Sequence, residues 1–535
     1  MKTTPLILAV LAVSSAGFTL SAQLKESPLP HVMKKEGRYA LFVEGAPFLI
    51  LGAQANNSSA WPAMLPKVWP AIEYLHANTL EIPVYWEQFE PRPGQFDYSV
   101  IDTILAQAHE HRVHLVLLWF GTWKNGSQHY MPEWMKLAPD KYPHVIDETG
   151  KPVDSPSPFA AASLQADIRA FTAFMRHLKA ADPQRTVLMV QVENETGAWG
   201  ALRDYSPAAQ KLFEAPVPAD IRRSMNTESA ATSGNWQQVF GGEAEVCFHA
   251  WAVAKYVNQV AAAGKDVYPL PLYVNAALRD PLKPGAPGSY ESGGPTDNVI
   301  PIWKAAAPSI DIVAPDIYMS DSAEYLKVLD LYHRPDNPLF VPETEGAPGV
   351  ARFFFSALGL QAIGFSPFGL DYTSNRPFEM SDSENPNEFL EPTAQNYRLL
   401  APMMRDLARL NFEGKLQAVA EEKGEPSRTL QFGPWQAVVS YGAVRNKPAA
   451  GNPEPIGRAL VAQLSDNRFL VAGLFCRVDF HPTNADKRRQ FLRVEEGTYQ
   501  DGAFKFQRIL NGDQTDWGVN LGSEPLALRV SLATY

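Results

Sequence analysis

The chain has 535 residues, of which 45% are hydrophobic and 20% are charged, so it is long enough for two or three globular domains. Its formal net charge of −11 at pH 7 argues against nucleic acids and acidic polymers as partners. It has only two cysteines, Cys247 and Cys476, which excludes a disulfide framework.

Residues 1–22 have the features of a secretory signal peptide. Lys2 supplies the positive end, residues 6–13 form an apolar core, and Ala16 or Ala22 supplies the small residue at the cleavage position. The apolar core is too short to cross a bilayer, and no later run reaches about 18 apolar residues. We expect an exported protein without a membrane span. The few cysteines favour the periplasm of a Gram-negative bacterium, or secretion from it.

Strand-like and helix-like segments alternate from about residue 40 onward, as they do in βα units with a parallel sheet. Eight apolar runs in this order predict an α/β fold, a (β/α)8 TIM barrel, which we assign to residues 23–412. The predicted strands are Phe48–Leu51, Thr79–Val84, Val113–Trp119, Val187–Val192, Leu272–Asn275, Ile312–Ala314, Leu339–Val341 and Ala362–Phe365.

The pattern changes after Gly414 to short alternating segments separated by Gly, Pro, Asn and Asp. This pattern predicts a C-terminal antiparallel β-sandwich domain, which we assign to residues 413–535. Trp435 and Trp517 are candidate sugar platforms in this domain, although packing against the barrel is the commoner role for such a domain. The clearest strands are Trp435–Tyr441, Ala459–Leu464, Arg468–Leu474 and Ala527–Leu532.

Glutamates follow two of the predicted barrel strands, at the strand ends where parallel barrels carry their active sites. Residues 193–195 read Glu-Asn-Glu after the fourth strand, and residues 343–345 read Glu-Thr-Glu after the seventh. Retaining glycoside hydrolysis requires two carboxyl groups, one as acid/base and the other as nucleophile. The two motifs together therefore predict a glycosidase.

Each motif holds two glutamates that compete for the catalytic role. Glu195 is the candidate acid/base because it lies just past the strand end, and Glu193 is its rival because a regular strand points both the same way. Glu343 is the candidate nucleophile because Pro342 disrupts the ladder before it, and Glu345 is its rival. Asp316 and Asp371 lie near other strand ends, where they are candidates to orient these glutamates.

A family resemblance covers roughly residues 35–412. Residues 78–98 carry an aromatic pair, a Glu-Pro and a Gly-containing turn, and are similar to the second-strand signature of glycoside hydrolase family 35, a β-galactosidase family. Residues 191–197 resemble its fourth-strand motif, in which the Glu directly after Asn is the acid/base. The Pro-Glu pair at 342–343 resembles its seventh-strand nucleophile position.

The resemblance implies that Glu195 rather than Glu193 is the acid/base, and that Tyr85, Asn194 and Tyr318 line the sugar subsite. Asn194 also stands where an amide can bond the sugar 2-hydroxyl, a contact that strengthens at the transition state.

One segment departs from the family pattern. Many members carry Ala-Glu-Trp after the third strand, where this chain has Gly-Thr-Trp at 121–123. Lys124 and Asn125 are the candidates to replace the missing sugar-binding Glu. Residues 119–126 and 56–59 together resemble a bacterial subgroup tied to plant cell-wall breakdown. That resemblance implies β-galactose capping xyloglucan side chains as the substrate.

The leading prediction is an exo-acting retaining β-galactosidase that needs no cofactor and no metal. The histidines of His109-Glu-His-Arg-Val-His114 are spaced wrongly for a zinc helix. Two alternatives stay open: a β-mannosidase, β-glucosidase or endo-glucanase of the same clan, and a non-catalytic carbohydrate-binding protein. The expected partner is an oligosaccharide with a terminal β-galactose, and the sequence leaves homo-oligomerisation open.

Overall fold

The computed structural model describes residues 28–226, 233–373, 387–442, 448–500 and 502–535. The predicted signal peptide at 1–22 lies outside the described residues. Within those ranges, no helix is both long enough and apolar enough to cross a membrane.

Strands and helices alternate through the first 412 residues, and strands alone make up most of the remainder. The strands of the first part are β1 (His31–Lys35), β2 (Arg38–Val43), β3 (Ala46–Phe48), β4 (Ile50–Gln54), β5 (Thr79–Tyr85), β6 (His114–Lys124), β7 (His144–Ile146), β8 (Pro152–Pro156), β9 (Val187–Asn194), β10 (Leu272–Ala277), β11 (Ile312–Ile317), β12 (Val341–Thr344) and β13 (Gly364–Pro367). The α-helices are α1 (Leu65–Leu75), α2 (Trp86–Phe89), α3 (Ser99–His111), α4 (Glu133–Lys136), α5 (Ala161–Ala181), α6 (Pro207–Phe213), α7 (Ala219–Ser224), α8 (Trp236–Phe240), α9 (Ala244–Val267), α10 (Ile300–Ala306), α11 (Ser322–Tyr332), α12 (Pro348–Ala351), α13 (Phe353–Gly359), α14 (Glu391–Leu400) and α15 (Met404–Phe412). Short 3₁₀ turns span Gly241–Glu243, Ala401–Met403 and Gly512–Gln514. The C-terminal strands are β14 (Leu416–Ala420), β15 (Ser427–Phe432), β16 (Trp435–Tyr441), β17 (Arg458–Ser465), β18 (Arg468–Leu474), β19 (Cys476–Pro482), β20 (Arg489–Gln500), β21 (Ala503–Leu510), β22 (Val519–Leu521) and β23 (Leu526–Thr534).

Parallel strands close into a barrel in the order β4, β5, β6, β9, β10, β11, β12 and β13, and β13 pairs with β4 to complete the ring. The predicted (β/α)8 barrel is therefore confirmed. Several strands continue past the apolar runs that predicted them, such as β6 to Lys124 and β9 to Asn194. They continue because backbone groups make the ladder whatever the side chains are. Polar side chains are thereby carried to the barrel mouth.

Aromatic packing joins the barrel wall to its surrounding helices. Trp119 of β6 stacks on Phe174 of α5 with ring centroids 5.5 Å apart, and its Nε1 donates to Asp167 at 3.0 Å. All three side chains are buried. Full burial of a side chain such as Phe174 contributes about 1.5–3 kcal/mol, so this layer fixes the position of β6 relative to α5.

The C-terminal strands form an antiparallel sandwich, as predicted. One sheet has the order β14-β17-β18-β23-β20-β21 and the other β15-β16-β19-β22, with an apolar core between them. The first sheet also contacts the barrel: a Cβ on Gly359 of α13 would lie 2.1 Å from the carbonyl oxygen of Ala418 in β14, so only glycine permits this approach.

The two tryptophans that are candidate sugar platforms differ in exposure. Trp435 is 1% exposed and donates its Nε1 to Asn467, so its prediction as a sugar platform was wrong. The residue begins a strand whose alternate side chains face the sandwich core. Trp517 is 46% exposed. Cys247 and Cys476 are both buried and unpaired.

A buried arginine links the sandwich to the last barrel helices. Arg458 at the start of β17 donates its Nε to Asn396 Oδ1 of α14 at 2.7 Å and its Nη1 to the Ile456 carbonyl at 2.9 Å. Burial lowers the pKa of Arg458 to about 10, which leaves the guanidinium charged at neutral pH. Neutral oxygens therefore solvate a buried charge across the contact between the sandwich and the barrel.

Replacing Arg458 with methionine is expected to lower the free energy of unfolding by about 1.5–3 kcal/mol, the range for losing a hydrogen bond to a charged group. The urea midpoint of unfolding measures the change. Arg468→Met is the matched control, because Arg468 begins the adjacent strand β18 and is exposed. Equal midpoints for the two variants would show that the buried contact does not hold the sandwich to the barrel.

Candidate active site

Three carboxyl groups converge at the mouth of the barrel. Glu195 follows β9, Asp316 lies near the end of β11 and Glu343 lies in β12. One oxygen of each lies within 4.8 Å of one oxygen of each of the others. Asp316 and Glu343 are register partners on adjacent parallel strands, which explains their proximity. The cluster lies at the strand ends where barrel enzymes place their chemistry.

Backbone geometry separates the two glutamates that follow β9. Glu193 has φ of 65° and Glu195 has φ of 42°, a left-handed conformation that costs about 1–3 kcal/mol for such residues. These turns end the regular alternation of the strand. Glu193 is fully buried, and its Oε2 accepts a hydrogen bond from the backbone N–H of Trp123 at 2.8 Å. Glu195, by contrast, lies beside Glu343, and Asn275 Oδ1 accepts from its backbone N–H at 2.9 Å.

The surroundings of Glu195 favour its protonated form. Burial of the carboxyl group raises its pKa to about 7, and the negative charge of Glu343 acts in the same direction. The charge of Lys124 and the neighbouring carboxyl group of Asp316 oppose this shift. A carboxyl group with its pKa raised in this way can hold a proton at neutral pH.

The surroundings of Asp316 favour its protonated form. Burial, followed by the charges of Glu343 and Glu195, raises the pKa of Asp316 well above its usual range. Its Oδ2 accepts a hydrogen bond from Asn275 Nδ2 at 2.6 Å, which fixes the orientation of the carboxyl group. The three carboxyls are also oxygen ligands of the type that bind a divalent metal. A metal there would require both Glu195 and Asp316 to lose protons that their surroundings favour.

Glu343 is held at both of its carboxylate oxygens. Gln54 Nε2 donates to Oε2 at 3.0 Å, and the Tyr318 hydroxyl donates to Oε1 at 2.5 Å. The Tyr318 residue is 49% exposed at the barrel mouth although its hydroxyl points inward. Glu345, the rival of Glu343, lies beyond the end of β12 and is half-buried. The two donors fix the direction of the Glu343 carboxyl group within the site.

Replacing Tyr318 with phenylalanine is expected to lower kcat roughly 10- to 150-fold on an aryl β-glycoside that the enzyme cleaves. The loss corresponds to about 1.5–3 kcal/mol for a hydrogen bond to a charged group. Tyr332→Phe is the control, because it removes a buried hydroxyl that bonds the carbonyl of Pro295 instead. An unchanged kcat for Tyr318→Phe would show that this hydrogen bond does not support the reaction.

Two further predicted sugar-binding residues differ in their surroundings. The Tyr85 hydroxyl accepts a hydrogen bond from the backbone N–H of Ala60 at 3.1 Å, and its ring stacks on Tyr130 with centroids 5.3 Å apart. Asn194 is fully buried, and neither atom of its side-chain amide finds a hydrogen-bond partner among the described residues. Leaving such a group unpaired costs about 1–3 kcal/mol, so the amide is available for a ligand hydroxyl.

The remaining pair, Lys124 and Asn125, lies at the end of β6. Lys124 is 5% exposed, whereas Asn125 is exposed. The Lys124 ammonium donates to Asn125 Oδ1 and lies 5.2 Å from the ring centroid of Phe120. The positive charge of Lys124 lowers the pKa of Glu195, which brings this ammonium into the electrostatic range of the carboxyl cluster.

Sequence reasoning missed several polar groups at the mouth. Gln54, Asn275 and Glu81 lie inside predicted or extended barrel strands, and a polar residue within an apolar strand was the signal that could have found them. Burial raises the pKa of Glu81 to about 8, and the hydroxyl of Tyr273 donates to its Oε2 at 3.0 Å. The structure does not support the predicted role of Asp371 in orienting the two catalytic glutamates.

Asp371 does not contact the two glutamates. Its carboxylate accepts hydrogen bonds from the backbone and side-chain amides of Asn56, both at 2.8 Å, and from Thr373. Asp371 therefore orders the loop after β4, whereas Asp316 is the aspartate that lies with Glu195 and Glu343.

Two family models match parts of the chain. Residues 71–262, from α1 to α9, match glycoside hydrolase family 42, described as β-galactosidase. The protein is a glycoside hydrolase. Residues 393–522, from α14 to just after β22, match a domain of unknown function, DUF5597. The family-35 expectation was wrong, because the matching model is that of family 42. The motifs at 78–98 and 191–197 lie inside the matched segment, so they do not distinguish the two families.

Solved structures similar to this chain include three enzymes. A β-galactosidase from the psychrophilic Marinomonas ef1 shares 12% identity over 68% of this chain and 61% of its own, with a TM-score of 0.47. The catalytic domain of a β-amylase from Paenibacillus polymyxa shares 12% identity over 59% of this chain and 91% of its own, with a TM-score of 0.45. The exo-β-1,4-mannosidase Op5Man5 from Opitutaceae bacterium strain TAV5 shares 17% identity over 72% of this chain and 63% of its own, with a TM-score of 0.40. This chain thus spans less than two thirds of the galactosidase and of the mannosidase. No curated protein matches it.

Proposed function

We propose that this protein is a retaining β-galactosidase that releases terminal β-D-galactose by double displacement. The spacing of Glu195 and Glu343 carries the proposal, because their nearest oxygens lie within 4.8 Å. Retaining enzymes hold their carboxyl groups about 5–5.5 Å apart, and inverting enzymes about 6.5–9.5 Å apart to admit a water. The observed spacing favours direct attack by a carboxylate.

The first step forms a covalent intermediate. The Glu343 carboxylate attacks the anomeric carbon and forms a C–O bond, while the bond to the aglycone oxygen breaks. Glu195 gives its proton to that oxygen, so the aglycone leaves as a neutral alcohol. Gln54 and Tyr318 hold the two oxygens of Glu343 during the attack.

The second step reverses the role of Glu195. Its carboxylate takes a proton from a water, whose oxygen attacks the anomeric carbon as the ester bond to Glu343 breaks. The products are β-galactose and the free enzyme. Because the charge of Glu343 helps to raise the pKa of Glu195, the uncharged ester lowers that pKa. The same residue thereby becomes a base when a base is needed.

The identity of the sugar rests on the family-42 match, whose description is β-galactosidase. A β-mannosidase, β-glucosidase or endo-glucanase would use the same two carboxyls and differ in the groups around the sugar. Xyloglucan as the substrate was implied by the family-35 resemblance, which the family-42 match overturns. A galactosylated xyloglucan oligosaccharide therefore enters the test as one substrate among several.

A panel of aryl β-glycosides tests this proposal. The galactoside, glucoside, mannoside and xyloside are incubated with the mature protein and with its Glu195→Gln and Glu343→Gln variants. With phenyl as the aryl group, which needs a proton to leave, we expect the galactoside to be cleaved fastest and the cleavage to fall strongly in both variants. Preference for another sugar would be consistent with double displacement but would reject β-galactose as the preferred substrate. Undiminished cleavage by the variants would reject the assignment of both residues.

We also propose that the protein is exported, on the strength of the charged, apolar and small-residue regions of residues 1–22. Expression in a Gram-negative host with and without residues 2–22 tests this. Galactosidase activity in the periplasmic fraction of the full-length form alone is the expected result. Activity confined to the cytoplasm for both forms would contradict it.

A further inference from the structure

We propose that Glu291 binds a hydroxyl group of the sugar that occupies the site. This inference rests on the proposed glycosidase function, and it concerns a residue outside the two catalytic carboxyls. Glu291 lies in the loop after β10 and is only 3% exposed. Its Oε1 has no hydrogen-bond partner among the described residues. A buried carboxyl group with an unpaired oxygen is unfavourable unless a ligand or water completes it.

The loop that contains Glu291 is hydrogen-bonded to the loop that contains Glu195, the candidate acid/base. Ala198 and Ser292 exchange backbone hydrogen bonds, with the Ala198 N–H donating at 2.8 Å and the Ser292 N–H at 3.1 Å. Gly126 supplies a second link. Its N–H donates to the carbonyl of Glu195 at 2.8 Å, and a Cβ on it would lie 2.0 Å from Glu291 Oε1. The carboxyl of Glu291 therefore packs against the turn that holds Glu195.

Glycine at position 126 makes this approach possible. Gly126 has φ of 69°, a conformation that favours glycine, and a larger residue would push the Glu291 carboxyl away from the turn. Two independent features of the backbone therefore place the carboxyl of Glu291 where it is.

The electrostatic surroundings connect Glu291 to the same site. Burial raises the pKa of Glu291 well above its usual range, and the charge of Glu195 acts in the same direction. The ammonium of Lys124 opposes the shift. These surroundings favour the protonated form of Glu291, in which the carboxyl group can both donate and accept a hydrogen bond.

The chemistry of these groups selects a neutral polyhydroxyl ligand. Lys124 offers donors, the unpaired amide of Asn194 offers a donor and an acceptor, and protonated Glu291 offers both. A sugar hydroxyl is a donor and an acceptor at once, so it can satisfy these groups. The clustered carboxyls disfavour an anionic ligand. Glu291 is thus a residue through which the site distinguishes sugars that differ at one hydroxyl.

Monodeoxy substrates test the assignment. The kcat/KM of the wild type, Glu291→Gln and Glu291→Ala is measured on 4-nitrophenyl β-galactoside and on its 2-, 3-, 4- and 6-deoxy analogues. We expect Glu291→Ala to lower kcat/KM roughly 10- to 100-fold on the parent sugar, the range for a lost hydrogen bond in a buried site. On one deoxy analogue the variant and the wild type should be equal, because the hydroxyl that Glu291 binds is already missing. Glu148→Gln, which changes an exposed glutamate between β7 and β8, should match the wild type throughout.

An equal loss on every analogue would overturn the proposal, because it would show a structural role. Glu291→Asp serves if the other variants fail to fold, since it keeps the carboxyl and withdraws it by one methylene. It should show the same dependence on one hydroxyl. Failure of the galactosidase proposal is seen separately, in the wild type. If the wild type prefers another aryl sugar, the deoxy series of that sugar is used, and an equal loss again rejects the role of Glu291.

Discussion

Replacing Glu343 with glutamine is expected to lower kcat on an aryl β-galactoside roughly 10⁴-fold or more, the scale seen when an enzyme loses its nucleophile. An amide cannot form the glycosyl ester, although Gln54 and Tyr318 remain to hold it. Initial rates at saturating substrate measure the effect. The variant should still bind substrate, because the isosteric side chain leaves the pocket unchanged.

Glu345→Gln is the matched control, since it changes the other carboxyl of the same motif beyond the end of β12. It should retain kcat within about threefold of the wild type, as expected of a residue that does not meet the reacting atoms. Azide adds a second readout for Glu343→Ala. Azide in place of the carboxylate attacks the same face of the sugar and yields the α-galactosyl azide. A large loss in Glu345→Gln with an active Glu343→Gln would exchange the two assignments.

Replacing Glu195 with glutamine is expected to affect substrates according to their leaving groups. A methyl β-galactoside needs a proton at its leaving oxygen, so its kcat/KM should fall roughly 10²- to 10⁴-fold, the usual contribution of a general acid. A 2,4-dinitrophenyl galactoside leaves without a proton, so its kcat/KM should change little. A comparison of the two substrates measures the acid role directly.

The pH dependence of kcat/KM is an independent test of Glu195 as the general acid. Glu195 acts as an acid only while protonated, and burial raises its pKa to about 7. The kcat/KM of the wild type should therefore fall as pH rises through about 7 on the methyl galactoside. Glu195→Gln should lose this alkaline limb. Glu193→Gln, the control, should keep it, and loss of the limb in that variant would make Glu193 the acid.

The barrel was predictable because its eight strands are apolar runs and its helices are amphipathic. The ends of the strands were harder to predict. The apolar signal stops where polar residues begin, yet β6 continues to Lys124 and β9 to Asn194 because the backbone ladder continues. Gln54 was missed for this reason, because β4 continues past the predicted end at Leu51. Asn275 lies inside its predicted strand, and its polarity within an apolar run was the signal that could have found it.

Strand alternation could not show whether Glu193 or Glu195 is the acid/base. The two positive φ values at these residues depend on contacts of the folded barrel, including the bond from Trp123 to Glu193. The position of Glu291 beside the site could not be predicted from the sequence for a related reason. It lies in an irregular loop, and its position depends on the turn at Gly126, which is 165 residues away in sequence (291 − 126). Composition carries no information about such contacts.

The stereochemistry of the first sugar released shows whether Glu195 and Glu343 act as an acid/base and a nucleophile. Hydrolysis of an aryl β-galactoside is followed by proton NMR at early times, before the anomers of free galactose interconvert. A retaining reaction releases β-galactose first, and α-galactose should form only later by mutarotation. If α-galactose appears first, the reaction is a single inverting displacement, and Glu343 is not its nucleophile.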